Sequence, residues 1–243
     1  MTIASILFRL KNEARHLGEV LRALERQTLR DYEIVVVDSS STDGTLDLLA
    51  PYAHTLRRLA PDAFTYGRAL NLGAAVAKAP FLVNLSGHSL PRDEHWLEHL
   101  VAACAAPGVA GTCSRLLPYP GGPRHYRLLY RLLYPPAGGH TRSTDNFHNA
   151  SSCVRLDLWR RFPFDEKLAA CEDLDWARRV RWAGYQTCYV PASAVYHAHE
   201  ESALSWLACT LQRDAPAIVK VWLRQANHRA PARAPVPRDE RHA

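Results

Sequence analysis

An apolar run rich in β-branched residues, 32–37, leads directly into Asp38 near the start of the chain. Such a run is typical of a strand that is buried on both faces of a parallel sheet. Shorter apolar segments at 5–9 and 81–85 share this character, and segments with apolar residues at helical spacing separate the three. This alternation predicts an α/β fold in which a mostly parallel central sheet is flanked by helices.

Periodicity and turn residues predict the remaining elements. Helices are predicted at 12–27, 43–49, 68–78, 93–105 (entered through Pro91), 173–183 and 202–223, the last as a C-terminal helix. Further strands are predicted at 55–60, 150–155 and 186–190. Residues 118–146 form a Pro- and Gly-rich loop around the aromatic and basic string 124–134, which predicts a short amphipathic helix. This helix either carries substrate contacts or packs on the sheet with a solvated basic face.

Composition excludes several classes of protein. With 47% hydrophobic and 22% charged residues the chain is an ordinary globular sequence. No apolar run reaches the roughly 20 residues that span a bilayer. The first eight residues lack a charged leader and have the pattern of a strand, so a cytoplasmic protein is expected. The six cysteines have no metal-ligand spacing.

The basic residues are mostly arginines: only four of the 30 are lysines, and the formal net charge is +6. Arginine binds phosphate through paired hydrogen bonds, so this bias suits a phosphate-rich ligand, although a GC-rich genome produces the same bias. The arginines are dispersed and accompany no recognition motif, which argues against nucleic-acid binding. A basic surface also suits peripheral contact with the inner face of an anionic membrane or with a lipid-phosphate acceptor.

The turn after the run 32–37 is acidic and rich in hydroxyl groups. Asp38 ends the predicted strand, and the hydroxyl-rich segment 39–45 follows. In open α/β sheets ligands bind at the carboxyl ends of strands, where a carboxylate accepts hydrogen bonds from a base or a ribose hydroxyl. The same residues also make an ordinary N-cap for a following helix. From the turn alone, Asp38 is equally a nucleotide contact or a capping residue.

Two adjacent carboxylates, Glu172 and Asp173, stand at the start of the predicted helix 173–183. The positive end of the helix dipole favours an acid there, so one of them can be a simple helix-start device. Adjacent residues cannot both cap one helix, which leaves the other free for chemistry. Downstream, His197 and His199 are spaced i, i+2 and share a face if they lie on a strand.

Four segments occur in a characteristic order: RLKNEA at 9–14, VVVDSSSTDGT at 35–45, RALNLG at 68–73 and EDLDWARR at 172–179. Their spacing resembles that of the family 2 glycosyltransferases of the GT-A fold, in particular rhamnosyltransferase-like bacterial members. The resemblance covers about residues 3–200 and implies a single GT-A domain over 1–226. Its two parts would be a nucleotide-binding half at 1–105 and an acceptor and catalytic half at 106–226. Alternating Pro, Arg and Ala predict a disordered tail at 227–243.

The resemblance implies a role for each matching residue. Asp38 would contact the base or ribose of a nucleotide. The other implied nucleotide-sugar contacts are Arg9, Glu13, Ser40, Arg68, Asn71 and Ser86. Asp173 would be the catalytic base of an inverting enzyme, with a pKa that partial burial raises towards the working pH. Glu172 would orient the loop or contact the acceptor.

The chain departs from the family after the strand predicted at 81–85, where members carry an Asp-x-Asp pair that holds a divalent metal against the diphosphate. Ser86 and His88 stand in its two positions. Imidazole suits Mn²⁺ better than Mg²⁺, so a divalent metal, Mn²⁺ or Mg²⁺, is expected as cofactor, with His88, His197 and His199 as protein ligands. Two alternatives stay open: a metal-free site in which His88 and nearby arginines neutralise the diphosphate, and histidines with structural contacts only.

The resemblance therefore predicts an inverting glycosyltransferase. It would move a sugar from a UDP, GDP or dTDP sugar to a glycan or lipid-linked acceptor in bacterial surface polysaccharide or glycolipid synthesis. The alternative is a catalytically weak or inactive GT-A module that binds a nucleotide sugar or glycan, because the metal-binding acids are replaced. A nucleotidyltransferase is the weakest interpretation, since the loop after the first strand, 9–13, contains no glycine.

Overall fold

The computed structural model describes residues 2–136, 141–144, 146–198, 202, 204–205, 208 and 210–227. Within them, the run rich in β-branched residues is the strand Tyr32–Asp38 (β2), and its last five residues are buried. It lies between two parallel neighbours, Ala4–Leu10 (β1) and His54–Arg58 (β3). Since neither face of β2 meets water, its sequence does not alternate between apolar and polar residues.

Nine strands form one sheet in the described part of the chain. Besides β1, β2 and β3 they are Phe81–Ser86 (β4), Ser89–Pro91 (β5), Val109–Pro118 (β6), Arg142–Ser143 (β7), Ser151–Arg155 (β8) and Gln186–His197 (β9). The α-helices are Ala14–Leu24 (α1), Tyr66–Ala74 (α2), Trp96–Cys104 (α3), Arg124–Leu133 (α4), Leu156–Arg161 (α5), Glu172–Trp182 (α6) and Ala215–Asn227 (α7). Shorter turns are the 3₁₀ segments Asp47–Leu49 and Pro61–Ala63 and the π-helical segment Thr210–Asp214.

The sheet runs in the order β3-β2-β1-β4-β8-β6-β9-β5, with β7 paired to β9. Strands β1 to β4 pair in parallel, and so do β6 and β9. In contrast, β8 is antiparallel to β4 and β6, and both β5 and β7 are antiparallel to β9. The predicted α/β class is confirmed, but a mostly parallel sheet describes only the half built from β1 to β4.

The structure differs from the predicted elements in three places. The helix predicted at 43–49 is only the 3₁₀ turn Asp47–Leu49, because Asp43 and Thr45 bind the start of α1 instead of starting their own helix. Pro91 does not enter a helix: it ends β5, and α3 begins at Trp96. The ten-residue strand β6 has no counterpart among the predicted strands.

The second half otherwise follows the expectations in outline. The strand predicted at 186–190 continues to His197 as β9, and the string 124–134 forms α4. The helix predicted at 202–223 is described from residue 210 as a π-helical turn followed by α7. The predicted tail lies outside the described residues except for Asn227, the last residue of α7. No helix in the described ranges is long and apolar enough to cross a bilayer.

The parallel half of the sheet brings three predicted site residues to one edge. In the sheet register Arg9 pairs with Ser86, and Leu10 pairs with Asp38, so all three side chains stand at the carboxyl ends of β1, β2 and β4. Behind this edge lies a core of fully buried apolar side chains, which include Phe8, Leu17, Leu21, Leu70 and Leu100. The fold thus supplies a rigid base for the loops that leave this edge.

Candidate active site

The acid pair stands at the start of α6, as predicted, but its two carboxylates have different surroundings. Glu172 is buried, and its Oε1 accepts a hydrogen bond from Asn149 Nδ2 at 3.3 Å. Asp173 is half-buried: its Oδ2 accepts from the Asn149 N–H at 3.1 Å and its Oδ1 from the Leu174 N–H at 2.7 Å. Glu172 therefore holds the loop, while Asp173 keeps an exposed part that a substrate can reach.

The ionisation of Asp173 is shifted strongly. Burial, followed by the negative charge of Glu172, raises the pKa of Asp173 to about 7. Its two backbone hydrogen bonds and the positive charge of Arg9 lower the pKa and only partly offset this rise. A carboxyl group with such a pKa binds and releases a proton near neutral pH, which is the property that a general base needs.

The residue before the acid pair adopts an uncommon backbone conformation. Cys171 has a φ of 63°, in the left-handed region, and its carbonyl accepts a hydrogen bond from the Asp175 N–H at 3.0 Å. A non-glycine residue in this region costs on the order of 1 kcal/mol or more, and such strain clusters at functional sites. The left-handed turn at Cys171 sets the direction in which α6 starts and hence the direction of both acids.

Asn149, which belongs to none of the sequence motifs above, joins the acid pair to the sheet. Its Oδ1 accepts hydrogen bonds from Asn84 Nδ2 on β4 at 3.1 Å and from Ser152 Oγ on β8 at 2.9 Å. All three side chains are buried, so a lost bond leaves a polar group without a partner. Asn149 therefore fixes the acid pair relative to the ends of β4 and β8. The polar Asn84 inside the apolar run 81–85 is the sequence signal that could have indicated this network.

The loops after β1 and β2 are tied to each other. The carboxylate of Asp38 is fully buried and accepts hydrogen bonds from the Ser41 N–H at 3.2 Å and from Ser41 Oγ at 2.5 Å. Lys11 Nζ donates to the carbonyl oxygens of Ser39 and Ser40 at 2.7 and 2.9 Å. The described contacts of Asp38 are those of a residue that holds its own turn. Its contact with a nucleotide, and that of the exposed Ser40, stay predictions.

The hydroxyl-rich segment caps α1 from across the sheet. Thr45 Oγ1 accepts from the Glu13 N–H at 2.7 Å, and Asp43 Oδ2 accepts from the Ala14 N–H at 3.0 Å. The pKa of Asp43 is lowered, chiefly by the hydrogen bond that the Thr45 hydroxyl donates to it. These bonds satisfy N–H groups at the start of α1, which have no partner within the helix. They also place Glu13 directly beside the end of β4.

Glu13 contacts His88, the residue that stands in the second metal-binding position of the family. His88 Nδ1 lies 2.9 Å from both carboxylate oxygens of Glu13, and Ser86 Oγ lies 3.1 Å from Nε2. Because a carboxylate only accepts, Nδ1 donates its hydrogen to Glu13. Gly87 makes this approach feasible, since a Cβ there would lie 2.9 Å from Glu13 Cγ and 2.8 Å from a methyl group of Leu10.

Two of the three predicted metal ligands, His88 and His197, lie next to each other. Their ring centroids are 4.8 Å apart with the planes tilted by 33°, and His197 Nδ1 lies 2.7 Å from Ser89 Oγ. The ranges that the structure describes contain no group of three or more His, Cys, Asp or Glu that could hold a metal ion. The third predicted ligand, His199, lies outside those ranges.

Positive charge gathers around Tyr66, at the start of α2. The Arg9 guanidinium lies 5.0 Å from the ring centroid and that of Arg213 lies 5.8 Å from it. Arg213 Nη1 also donates to the Tyr66 hydroxyl at 3.3 Å. Arg9 is close enough to Asp173 to lower its pKa, whereas Arg213 also forms an ion pair with Asp214, with Nε 2.7 Å from Oδ1. Neither Tyr66 nor Arg213 was expected here, because they come from segments far apart in the chain.

The two predicted donor contacts on α2 differ. Arg68 is exposed. Asn71 is engaged at every position of its amide: Oδ1 accepts from Trp159 Nε1 and the Phe164 N–H, and Nδ2 donates to the Phe164 carbonyl and to Glu166 Oε1, all at 2.9–3.0 Å. An amide makes four such bonds, so none is left for a nucleotide sugar. Asn71 therefore ties α2 to the segment that follows α5, and its implied donor contact has no group to make it.

The sequence is similar to those of known glycosyltransferases. The model of the family "Glycosyl transferase family 2" matches residues 5–166, more than half of the chain. O-antigen chain rhamnosyltransferase WbaN of Salmonella anatum is 24% identical over 193 residues, which cover 75% of this chain and 61% of that protein. Glycosyltransferase AglE of Haloferax volcanii is 25% identical, over 92% of this chain and 75% of that protein. The chain thus spans about 61% of the length of the rhamnosyltransferases that it matches.

Solved structures share the fold. The mannosyltransferase PcManGT from Pyrobaculum calidifontis, in complex with GDP-Man and Mn²⁺, has a TM-score of 0.71 at 21% identity, over 94% of this chain and 65% of that chain. TarS 1–349 from S. aureus has a TM-score of 0.65 at 16% identity, over 90% of this chain and 63% of that chain. The predicted GT-A architecture is confirmed. The chain belongs to glycosyl transferase family 2.

Proposed function

We propose that the protein is an inverting glycosyltransferase that moves a sugar from a nucleoside diphosphate sugar to a hydroxyl acceptor, with Asp173 as the general base. The observation that carries this proposal is the environment of Asp173, a half-buried carboxyl group whose pKa is raised to about 7. A simple helix-start acid would be stabilised as the carboxylate by the helix dipole, and its pKa would fall. The raised pKa favours catalysis over that interpretation.

In the proposed reaction Asp173 accepts the proton of the acceptor hydroxyl. The acceptor oxygen forms a bond to the anomeric carbon of the donor from the side opposite the diphosphate. The bond between that carbon and the diphosphate oxygen breaks, and its electron pair leaves with the diphosphate. Attack opposite the leaving group inverts the anomeric configuration. Asn149 keeps Asp173 in place through its N–H, and Glu172 raises the basicity of Asp173 by its charge.

The leaving diphosphate needs positive charge or hydrogen-bond donors. Arg9, whose charge acts on Asp173, supplies a guanidinium group beside the base, and Arg213, which is paired with Asp214, lies with it at Tyr66. His88 lies at the end of β4 and is oriented by Glu13. The mannosyltransferase structure similar to this one contains Mn²⁺ with GDP-Man, whereas the described residues here include no group of three or more His, Cys, Asp or Glu that could hold a metal ion. We therefore assign the stabilisation of the diphosphate to these side chains.

The relatives suggest the substrate class. WbaN and RfbN are named O-antigen chain rhamnosyltransferases. We infer that this protein uses a UDP, GDP or dTDP sugar and a glycan or lipid-linked acceptor at the inner face of the membrane, in the synthesis of a bacterial surface polysaccharide or glycolipid. The basic excess of the chain, +6, is consistent with a phosphate-bearing donor and acceptor.

Donor binding is the first test. A saturating nucleoside diphosphate, at about 100 times its Kd, stabilises the native state by about 2.7 kcal/mol, which corresponds to a rise in Tm of roughly 5–10 °C for a domain of this size. We expect this rise for one of UDP, GDP and dTDP in a thermal-shift titration. Arg9→Gln should remove most of it, because one guanidinium beside the diphosphate is lost. Arg160→Gln, on the exposed side of α5, is the matched control and should keep it.

No shift with any of the three nucleotides would contradict the proposed donor site. The titration is run in Mn²⁺ and again in EDTA, since a metal held between the donor phosphates and His88 would make the shift depend on the ion. Binding without any turnover would favour the alternative of an inactive binding module.

The pH dependence of transfer is the second test. Asp173 must be ionised to accept a proton, so kcat/KM should rise about tenfold per pH unit below pH 7 and level off above it. In Glu172→Gln the neighbouring negative charge is gone, the pKa of Asp173 falls, and the rise should move to lower pH. Asp157→Asn, on the exposed start of α5, should leave the profile unchanged. A profile that is flat between pH 5 and 8 would exclude this base.

A further inference from the structure

We propose that helix α4 docks the protein on an anionic lipid bilayer, with its exposed leucines in the acyl boundary and its arginines on the lipid phosphates. The inference rests on the proposed function only for the location of the acceptor.

The inner side of α4 is fixed to the protein by aromatic contacts. Tyr126 and Tyr130 are buried with ring centroids 5.6 Å apart, and Tyr130 lies 5.8 Å from Tyr134, which is also buried. The N–H of Tyr134 donates to the Tyr130 carbonyl at 2.8 Å and ends the helix. The orientation of α4 is therefore determined, and its remaining sides face outward.

Its outer side is apolar. Leu128, Leu132 and Leu133 are 64, 69 and 48% exposed, and the first two lie one helical turn apart on the same face. Exposed leucines at this spacing form a continuous apolar stripe rather than scattered single residues. Such a stripe, on a helix that is already packed on its other side, marks a surface suited to contact with a partner.

Three arginines flank the stripe and determine which partner fits. Arg124, Arg127 and Arg131 are exposed on α4. Residues 118–144 contain no Asp or Glu, and an acid in contact with this segment is Glu19 of α1, whose Oε2 accepts from the Tyr119 hydroxyl at 2.6 Å. In the part of the chain that the structure describes, no ion pair involves Arg127 or Arg131. A basic helix with an apolar stripe has the pattern of helices that lie in the interface of anionic membranes.

A groove beside α4 offers room for lipid phosphate groups. It has a volume of about 350 Å³, and its walls include Arg115, Arg127, Arg131, Leu116 and Leu117. Arg115 is held in place because its Nε donates to the Tyr134 carbonyl at 3.2 Å. Guanidinium groups between apolar walls suit a phospholipid, because it carries both a phosphate and hydrocarbon chains. An acidic protein partner would match the arginines but not the leucine stripe.

The docking surface borders the candidate active site. Tyr130 lies on the inner side of α4 with its ring 6.5 Å from that of His197, and His197 stacks on His88. A protein held to the bilayer through α4 would therefore present the end of β4, and the acids beside it, close to the lipid headgroups. A lipid-linked acceptor would meet the site without leaving the membrane.

Vesicle binding tests the proposal with the full chain. We expect the protein to float with vesicles of phosphatidylcholine and 30% phosphatidylglycerol and to remain unbound with phosphatidylcholine alone. Arg127→Gln/Arg131→Gln should lower the partition coefficient about 10- to 30-fold, since each arginine near an anionic surface contributes about fivefold. Leu128→Gln/Leu132→Gln should lower it by about tenfold or more, because the apolar stripe is lost.

The matched control is Arg160→Gln/Arg161→Gln, which removes the same charge from the exposed side of α5. It should bind vesicles as the unchanged protein does, and an equal loss here would mean non-specific attraction and overturn the proposal. Absence of binding to anionic vesicles, or a leucine-dependent dimer in their absence, would overturn it too. All substituted positions are exposed, and an unchanged Tm verifies folding.

Two readouts separate this proposal from the proposed function. The α4 variants should keep the nucleotide thermal shift measured without vesicles, and Asp173→Asn should keep vesicle binding. If vesicle binding fails while donor binding is intact, the docking proposal falls and the transferase proposal stands. If turnover fails while vesicle binding is intact, the transferase proposal falls and the docking proposal stands.

Discussion

Asp173→Asn is expected to lower kcat by about 10²- to 10⁴-fold, the usual contribution of a general base. The amide keeps the size of the carboxyl group, and its oxygen still accepts the hydrogen bond from the Asn149 N–H, while the bond from the Leu174 N–H is lost. It cannot accept the proton of an acceptor hydroxyl. The measurement is the initial rate of nucleoside diphosphate release with acceptor present, and the nucleotide thermal shift should be preserved.

Asp157→Asn is the matched control for this experiment. Asp157 lies on α5 in a hydrogen-bonded pair with Arg155, at 2.7 Å, and has no contact with the candidate site. The substitution should leave kcat within about twofold, as exposed ion pairs contribute little. If Asp173→Asn retained more than about a tenth of the activity, Asp173 would be excluded as the base. A loss of donor binding in the same variant would instead indicate a structural role.

The first half of the fold could be predicted because its signals are local. The run at β2 and the apolar segments at β1 and β4 are buried on both faces, and the helices between them keep regular spacing. Parallel strands joined by helices have few arrangements, so the parallel direction of these strands follows from the pattern. The helix predicted at 43–49 was wrong, because the polar residues of this segment cap α1 and do not start a helix of their own.

The second half could not be predicted from local pattern, since its strands depend on partners far away in the chain. β5 exists because Ser89 pairs with His197, over a hundred residues later, whereas Pro91 at its end has the sequence pattern of a helix start. β6 contacts β8 and β9, and its register shifts between Ser114 and Arg115. Antiparallel pairing of β8 with β4 and β6 has no signal in the spacing of apolar residues.

The candidate site divides in the same way. The adjacent acids Glu172 and Asp173 could be recognised from the sequence, because two neighbouring residues cannot both cap one helix. Their positioning by Asn149 was not, because that residue belongs to a short turn between a loop and β8. The predicted donor contact Asn71 has all its hydrogen bonds inside the fold, since Trp159 and the segment after α5 reach it from 88 or more residues away.

Trp176→Ala is expected to cost about 3–5 kcal/mol of unfolding free energy, the range for deletion of a buried aromatic side chain. Trp176 is fully buried on α6, three residues after Asp173. Its ring lies 5.4 Å from that of Phe147 and 5.9 Å from that of Phe164. A Cβ on Gly111 would approach the same ring to 3.0 Å, so the strand β6 packs directly on it. Deletion would leave a cavity where three segments of the chain meet.

Phe147 precedes Asn149 by two residues, so the contact of Phe147 with Trp176 also sets the distance between Asn149 and Asp173. Urea denaturation measures the loss of stability, and Trp176→Phe is the conservative comparison. The indole Nε1 of Trp176 has no hydrogen-bond partner among the described residues, so phenylalanine removes an unsatisfied buried donor and should recover most of the stability.

The same exchange at Trp96 should cost more, because the indole Nε1 of Trp96 donates to both Ser114 and Ser151. Equal losses for the two phenylalanine variants would contradict this difference in hydrogen bonding. A loss below about 1 kcal/mol for Trp176→Ala would mean that α6, and with it the candidate base, is held by other contacts.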